Sequence, residues 1–324
     1  MRHGSNTDIA KAAKLLKNVD NVEILMHRNP DGDTVGCAFA LWAALDSLGK
    51  RVKVGCIDEI PTMYSYLTIV YDAMVKDFIP TTFITVDSAT LSQLGDYRKF
   101  SETYFLNIDH HGDSNSLYAE NNLVDDSYAS CAEIVYEVIK EMGVSIDTFI
   151  ASAIYTGVST DTGCFKYRNT TSNSHLVTAE LLKSGMDLAM LNRVLFESKT
   201  KEFLALQQMA LSSLRFFFND RIAVTTVTRE MFIKAGANDE DMVNISPIAK
   251  AIQGVEVGLT FRETAKGTIK CSVRSSPAVD ASSICKQFGG GGHHGSAAFE
   301  VTGDITDVET LAIKAVIAAL EEQQ

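Results

Sequence analysis

Paired cysteines, long apolar runs and clustered basic residues are all missing from this chain. The six cysteines (Cys37, Cys56, Cys131, Cys164, Cys271 and Cys285) are scattered, with no Cys-x-x-Cys pair. Each sits among apolar or small neighbours, so buried free thiols and a reducing, cytoplasmic setting are expected rather than an export route. The N-terminal residues run into an amphipathic helix pattern over 8–17 without the apolar core of a signal peptide. No stretch of about 18 apolar residues occurs, so no membrane partner is expected. Basic residues are outnumbered, 29 Lys and Arg against 41 Asp and Glu, for a net charge of −12. A protein that grips long duplexes needs a field of cations to release counterions from many phosphates. Long duplex nucleic acid is therefore excluded as a partner. Any nucleic-acid substrate has to be short and held by a few local cations. Internal repeats and low-complexity tracts are also absent, apart from one run of glycines.

What is present is a globular composition, 46% hydrophobic and 22% charged, over 324 residues. That length allows two domains, each burying its own core. In the first half, short apolar runs at 22–26, 52–57, 83–86 and 104–108 alternate with helical spacing at 34–48, 129–142, 146–158 and 175–183. Gly49 caps the first of these helices. Strands alternating with helices predict an α/β fold with a parallel, helix-covered sheet. The spacing of Leu191, Leu195, Leu204, Leu211 and Leu214 predicts a wholly helical connecting segment over 188–217. Beyond it, strands are expected at 222–227, 255–262, 268–273 and 297–301, with helices at 280–288 and 308–320. This is a second, smaller α/β domain. The expected division is 1–190, a connector at 191–217, and 218–324.

The informative feature is where aspartates and histidines fall. His27-Arg28-Asn29-Pro30-Asp31-Gly32-Asp33 follows the first strand, Asp87 the third, and Asp109-His110-His111 the fourth. Asp161 ends an apolar helix in Ser159-Thr160-Asp161-Thr162-Gly163. Taken singly, an Asp after a strand is usually a helix cap or turn residue, Asp-Gly-Asp a loop, and His-His a surface turn. Taken together, residues just past the carboxyl ends of parallel strands converge on one crevice. Mixed His and Asp ligands suit Mn²⁺, with Mg²⁺ less fond of imidazole. Two ions about 3.5–4 Å apart clamp the attacking and leaving oxygens of a phosphoryl group. Asp31 and Asp33 flank Gly32, a spacing that sends one carboxylate to each ion, and one further Asp can bridge the pair.

The order His-x-x-x-Asp-x-Asp, Val-Asp-Ser, Asp-His-His and Ser-Thr-Asp-Thr-Gly resembles the DHH phosphoesterase superfamily. Phe288-Gly289-Gly290-Gly291-Gly292-His293 resembles the DHHA1 substrate-binding domain of the same proteins. The likeness covers nearly the whole chain, and the layout is most similar to the nanoRNase/pAp phosphatase group. It implies that His27, Asp31 and Asp87 hold one ion, and that Asp33, Asp87, His110 and Asp161 hold the other. Asp87 is then the bridge. It implies that His111 acts as acid or phosphate anchor, with Asp109 orienting an imidazole. Asn115 would bond the loop or the phosphate, or serve a plain turn.

In the second domain, Gly290, Gly291 and Gly292 with His293 would let backbone N–H groups cradle a phosphate, where the alternative is a flexible linker. Ala298 stands where the family usually ends this loop in glycine. Arg262 and Arg274 would contact a terminal phosphate, or be solvated surface residues. Phe165, Tyr167 and Arg168 are candidates for stacking on a base, with core packing the alternative for Phe165. The resemblance implies a hydrolase of short single-stranded oligoribonucleotides, dinucleotides and small nucleotide bisphosphates such as 3′-phosphoadenosine 5′-phosphate. The second domain would hold the far end of the substrate as a ruler. The rivals are a phosphodiesterase of linear or cyclic dinucleotides and a non-catalytic nucleotide sensor. A homodimer is allowed.

Overall fold

The computed structural model describes residues 6–112, 117–238, 241–242 and 245–322. It divides into two compact units, Met1–Ser198 and Lys199–Gln324.

The first unit is built on a five-stranded sheet in the order β2-β1-β3-β4-β5. Its strands are β1 (Val22–Leu25), β2 (Val52–Gly55), β3 (Thr82–Val86), β4 (Tyr104–Asp109) and β5 (Asn121–Val124). Every pairing is parallel. The chain leaves β1 for β2 on one side and then returns to β3 on the other. The carboxyl ends of β1 and β3 therefore flank a topological switch point, where such sheets open a crevice. β5 was not expected: Asn121-Asn122-Leu123-Val124 is half polar, yet all four residues are buried beside β4.

Two helices of this unit, α2 (Gly32–Ser47) and α5 (Thr148–Asp161), are apolar nearly all round and lie inside the unit. The others are α1 (Ile9–Asn18), α3 (Ser65–Met74), α4 (Cys131–Glu141) and α6 (Ser172–Leu182). Of these, α3 was not read from the sequence. Glycines let α2 and α5 approach closely. A Cβ on Gly36 would lie 2.3 Å from the Ala153 carbonyl oxygen, and one on Gly32 2.3 Å from Thr160 Oγ1.

The segment expected to be one helical connector is broken. α7 (Leu188–Asn192) runs into a π turn, Arg193–Glu197, and the backbone extends at Ser198. Thr200 then caps a new helix, α8 (Lys201–Ser212), its hydroxyl accepting from Phe203 N. Arg215–Phe217, expected as helix, is the edge strand β6 pairing with β7. The leucine stripe is real on each side, but a side-chain cap and two adjacent phenylalanines outweigh a continuous helix.

The second unit carries a six-stranded sheet, β10-β11-β9-β8-β7-β6. Its strands are β6 (Arg215–Phe217), β7 (Ile222–Val227), β8 (Val257–Glu263), β9 (Ile269–Ser275), β10 (Gly291–His293) and β11 (Ser296–Val301), accompanied by α9 (Arg229–Ala235), α10 (Ala281–Lys286) and α11 (Ile305–Glu321). Only β7 and β8 pair in parallel. Alternation sorts the faces of β8 and β9. Val257, Leu259, Phe261, Ile269, Cys271 and Val273 join Ile284 and Val316 in one core. Thr260, Arg262, Lys270, Ser272 and Arg274 occupy the alternate positions. All six cysteines are free, four buried and Cys56 and Cys164 half-buried. Among the described residues no helix is long and apolar enough to cross a membrane.

Candidate metal centre

Each ligand-type side chain is aimed by its own stretch of backbone. His27 follows β1, and its Nδ1 lies 2.8 Å from the Arg28 carbonyl oxygen. That bond fixes the tautomer and leaves Nε2 facing Asp31 Oδ1 and Asp87 Oδ2, each at 3.6 Å. Asp31 is also the N-cap of α2, accepting from the amides of Asp33 and Thr34. The carboxylate that caps the helix is thus the one that also reaches His27.

Asp33 is 1% exposed at the start of α2. Its carboxylate accepts from Cys131 N at 2.7 Å and Ala132 N at 2.9 Å, the first amides of α4, where the helix dipole favours a negative charge. Asp87, just past β3, adopts a left-handed φ of 52°. Its amide donates to the Ile108 carbonyl, and Thr34 Oγ1 donates to the Val86 carbonyl beside it.

Asp109 organises the histidine pair. Its Oδ1 accepts from His110 N, His111 N and His111 Nδ1, the last at 2.8 Å. His110 Nδ1 lies 3.4 Å from the Tyr128 carbonyl, so its Nε2 faces Asp87 Oδ1 at 3.6 Å, Asp161 Oδ2 at 3.7 Å and Asp33 Oδ2 at 3.9 Å.

Three overlapping groups result: His27 with Asp31 and Asp87, Asp33 with His110 and Asp161, and Asp87 with His110 and His111. All six residues expected as metal ligands thus converge, and Asp87 and His110 each belong to two groups. The donors fit divalent cations. Asp87 is 3% exposed, and its Oδ1 accepts no hydrogen bond. A buried carboxylate oxygen without a partner is costly unless a cation meets it. Two imidazoles turned Nε2-inward by their Nδ1 bonds meet the same requirement.

The electrostatics agree. Burial, then the nearby Asp31 charge, pushes Asp33 up to about 7, and burial, then Asp33, pushes Asp161 up to about 7. Burial, then Asp33, also lifts Asp87 well above the usual carboxylate range. Burial works against the His27 cation, but Asp31 and Asp87 outweigh it and hold the imidazole up to about 11. The Asp109 hydrogen bond holds His111 up to about 9. Raised carboxylates stabilise the fold only below their unfolded value, so the metal-free chain loses stability as pH climbs from about 4 through about 7. His27, also raised, continues the loss above about 6.5. A divalent ion has to displace these protons. Its affinity for the metal-free protein is expected to rise between about pH 6 and 8 with net proton release. Titration calorimetry in buffers of different ionisation enthalpy measures this, and a pH-independent affinity would contradict it.

In the second unit a cavity of about 530 Å³ is lined by residues that include Arg262, Lys270, Arg274, Gly291 and Gly292. Arg262 and Lys270 face each other across β8 and β9, a like-charge pairing that costs stability unless an anion joins it. The next residue in that row is Glu300 of β11. The glycine run is not a free turn: Gly291–His293 forms β10 against β11. A Cβ on Gly290 would lie 2.3 Å from the Ala298 carbonyl oxygen, so Gly290 serves close packing and does not line the cavity. The backbone of His293 lies in β10, but its side chain falls outside the described residues, as does Asn115.

Phe165 is half-buried against the first core and stacks on His175 with centroids 4.9 Å apart, which is the packing alternative. Tyr167, 61% exposed, and Arg168 lie on the surface of that unit. Lys270 was not expected in this cavity, although its period-two spacing with Ser272 and Arg274 marks it. Nor were the amides of Cys131 and Ala132 expected at the site, since no side-chain pattern reveals them.

Fold and site together define a class. The profile described as the DHH family, N-terminal domain, matches residues 21–158, and the DHHA1 domain matches residues 219–322. The chain belongs to the DHH phosphoesterase family, in its form with a DHHA1 domain. It is 33% identical over 285 residues to the bifunctional oligoribonuclease and PAP phosphatase NrnA of Thermus thermophilus, covering 87% of this chain and 84% of that protein. It is 25% identical to the protein of the same name from Mycoplasma genitalium, over 98% of this chain and 99% of that one. Among solved structures, an exopolyphosphatase-related protein from Bacteroides fragilis superposes with a TM-score of 0.82 at 25% identity, covering 97% of this chain and 95% of that one.

Proposed function

We propose that this chain is a two-metal-ion phosphoesterase that hydrolyses short oligoribonucleotides and 3′-phosphoadenosine 5′-phosphate, with Mn²⁺ as the ion. The observation that carries the reading is Asp87, buried, shared by two ligand groups and with one oxygen left unpartnered. His27, Asp31 and Asp87 hold one ion; Asp33, Asp87, His110 and Asp161 hold the other. Bound divalent ions supply polarisation of the phosphoryl oxygens and activation of a water for attack on phosphorus.

The chain's own residues do the rest. Attack by water breaks one P–O bond, and the leaving oxygen needs a proton. His111 carries one at neutral pH because Asp109 holds its imidazole up to about 9. Its Nδ1 already donates to Asp109, so His111 serves better as acid or phosphate anchor than as a further ligand. Asp109, fully buried, fixes the backbone of both histidines by accepting from their amides.

In the second unit Arg262, Lys270 and Arg274 take a terminal phosphate, helped by backbone N–H groups of the glycine segment. Lys270→Ala and Arg274→Ala are each expected to raise KM about 10–100-fold with little change in kcat, from loss of about 1.5–3 kcal/mol of charged hydrogen bonding. An unchanged KM in both variants would remove this cavity from the account. The relatives' names and the acidic net charge both favour a short substrate.

The test of the reading is product release with Mn²⁺ from dinucleotides through decamers, 3′-phosphoadenosine 5′-phosphate, cyclic dinucleotides and pyrophosphate. Turnover is expected on the short linear substrates and the bisphosphate. Turnover confined to cyclic dinucleotides or pyrophosphate would contradict it, and binding without turnover would mark a sensor.

A further inference from the structure

The three members of the Asp33, His110 and Asp161 group come from three separate elements, yet one short stretch of backbone touches the first two and reaches the third through a single side chain. The Tyr128 carbonyl meets His110 Nδ1 at 3.4 Å. The amides of Cys131 and Ala132 hold the Asp33 carboxylate at 2.7 and 2.9 Å. Between them, the Ala129 carbonyl accepts from Asn169 Nδ2 at 3.1 Å, and the same Nδ2 donates at 3.1 Å to the carbonyl of Asp161. Tyr128, Ala129, Cys131, Ala132 and Asn169 themselves lie outside the three ligand groups. Both partners of the amide are acceptors, which fixes its orientation with nitrogen inward.

The stretch is itself held firmly. Ser130 caps α4, accepting from Glu133 N, and the buried Glu133 carboxylate accepts from Ser174 Oγ at 2.6 Å and Asn173 Nδ2 at 2.8 Å. The 162–171 segment that carries Asn169 is therefore tied to α4 at its far end as well.

We infer that residues 128–132 form a template for the second ion site, and that Asn169 is the positioning residue that locks Asp161 to it. Without the amide, Asp33 and His110 keep their backbone partners, but the end of α5 loses its hydrogen-bonded link to residues 128–132 and is held by packing on α2 and α4. The consequence falls on one site. Among the described residues, no hydrogen bond or ion pair joins His27 or Asp31 to residues 128–132. Asn169 is exposed, so replacing it leaves no hole in the core.

The inference rests on the two-ion reading, and the test separates the two. Metal-free full-length chain is titrated with Mn²⁺ alone, by calorimetry, for the parent, Asn169→Leu (similar in shape, without donors) and Asp161→Asn. The parent's two binding steps test the two-ion reading by themselves. In Asn169→Leu one step is expected to weaken about 10-fold, the low end of the loss for a residue that orients a ligand. The other step should stay within about twofold, and the weakened step should be the one lost in Asp161→Asn. A merely structural role would not single out one step. Two parental steps with both unchanged in Asn169→Leu would overturn the inference. So would both steps weakening together with a lower melting temperature of the metal-free variant.

Discussion

Asp87→Asn is expected to reduce hydrolysis by about 10³-fold or more, equivalent to about 4 kcal/mol of transition-state stabilisation. The metal-free variant should nonetheless melt no lower than the parent. Both halves follow from one arrangement. Asp87 lies within 3.7 Å of His27, His110 and His111, and it belongs to two of the three ligand groups. In the function proposed above, removing its charge takes a ligand from each ion. In the metal-free chain, however, that carboxylate is buried against Asp33 with its pKa pushed well up, an arrangement that opposes folding at neutral pH. Asparagine also tolerates the left-handed backbone at this position better than alanine would. Steady-state turnover on a dinucleotide and thermal unfolding with chelator decide the matter. Near-parental turnover, or a collapse of the metal-free fold, would each contradict the assignment.

Gly157→Ala is the second large effect, and it acts through packing. A Cβ at Gly157 would lie 2.5 Å from the Ala132 Cβ and 2.6 Å from Asp33 Oδ1. Both neighbours belong to the contact between α2, α4 and α5. Ala132 is fully buried at the start of α4, and Asp33 is gripped by two of that helix's amides. Neither can retreat without breaking a hydrogen bond or opening the core. Overpacking of this kind costs about 1–3 kcal/mol. The displaced Asp33 should also lower affinity for one ion. Denaturant unfolding of the metal-free variant and Mn²⁺ titration read the two effects separately. Parental stability with parental binding would mean that α5 can shift freely, against the packing described.

The site was the most legible part of the chain, for a physical reason. His27, Asp31, Asp87, Asp109, His110 and His111 each sit within a few residues of the end of a short apolar strand. A parallel sheet delivers all such ends to one edge. Asp161 lies at the end of a helix, and its membership needed a recognised motif. The strands and helices with strong periodicity were legible too. β5 was not, because two asparagines at Asn121 and Asn122 hide a strand that is buried only through its neighbours. The connector failed for the opposite reason. A leucine stripe persists across 191–214, but the Thr200 cap and the pairing of β6 with β7 cut it in two. The glycine run was read for the backbone N–H groups it offers a phosphate; that Gly291–His293 pairs as a strand and Gly290 packs against Ala298 was not anticipated. Contacts made by backbone amides, such as those on Asp33, leave no trace in side-chain identity.

In the function proposed above, cleavage of short nucleotides requires two divalent ions, with Asp87 a ligand to both. The direct measurement is the rate of dinucleotide cleavage as Mn²⁺ is added stepwise to metal-free protein, with bound metal counted at each point. No turnover is expected with chelator, little with one ion per chain, and a steep rise as the second is bound. Full turnover at one ion per chain, or in the presence of chelator, would contradict it.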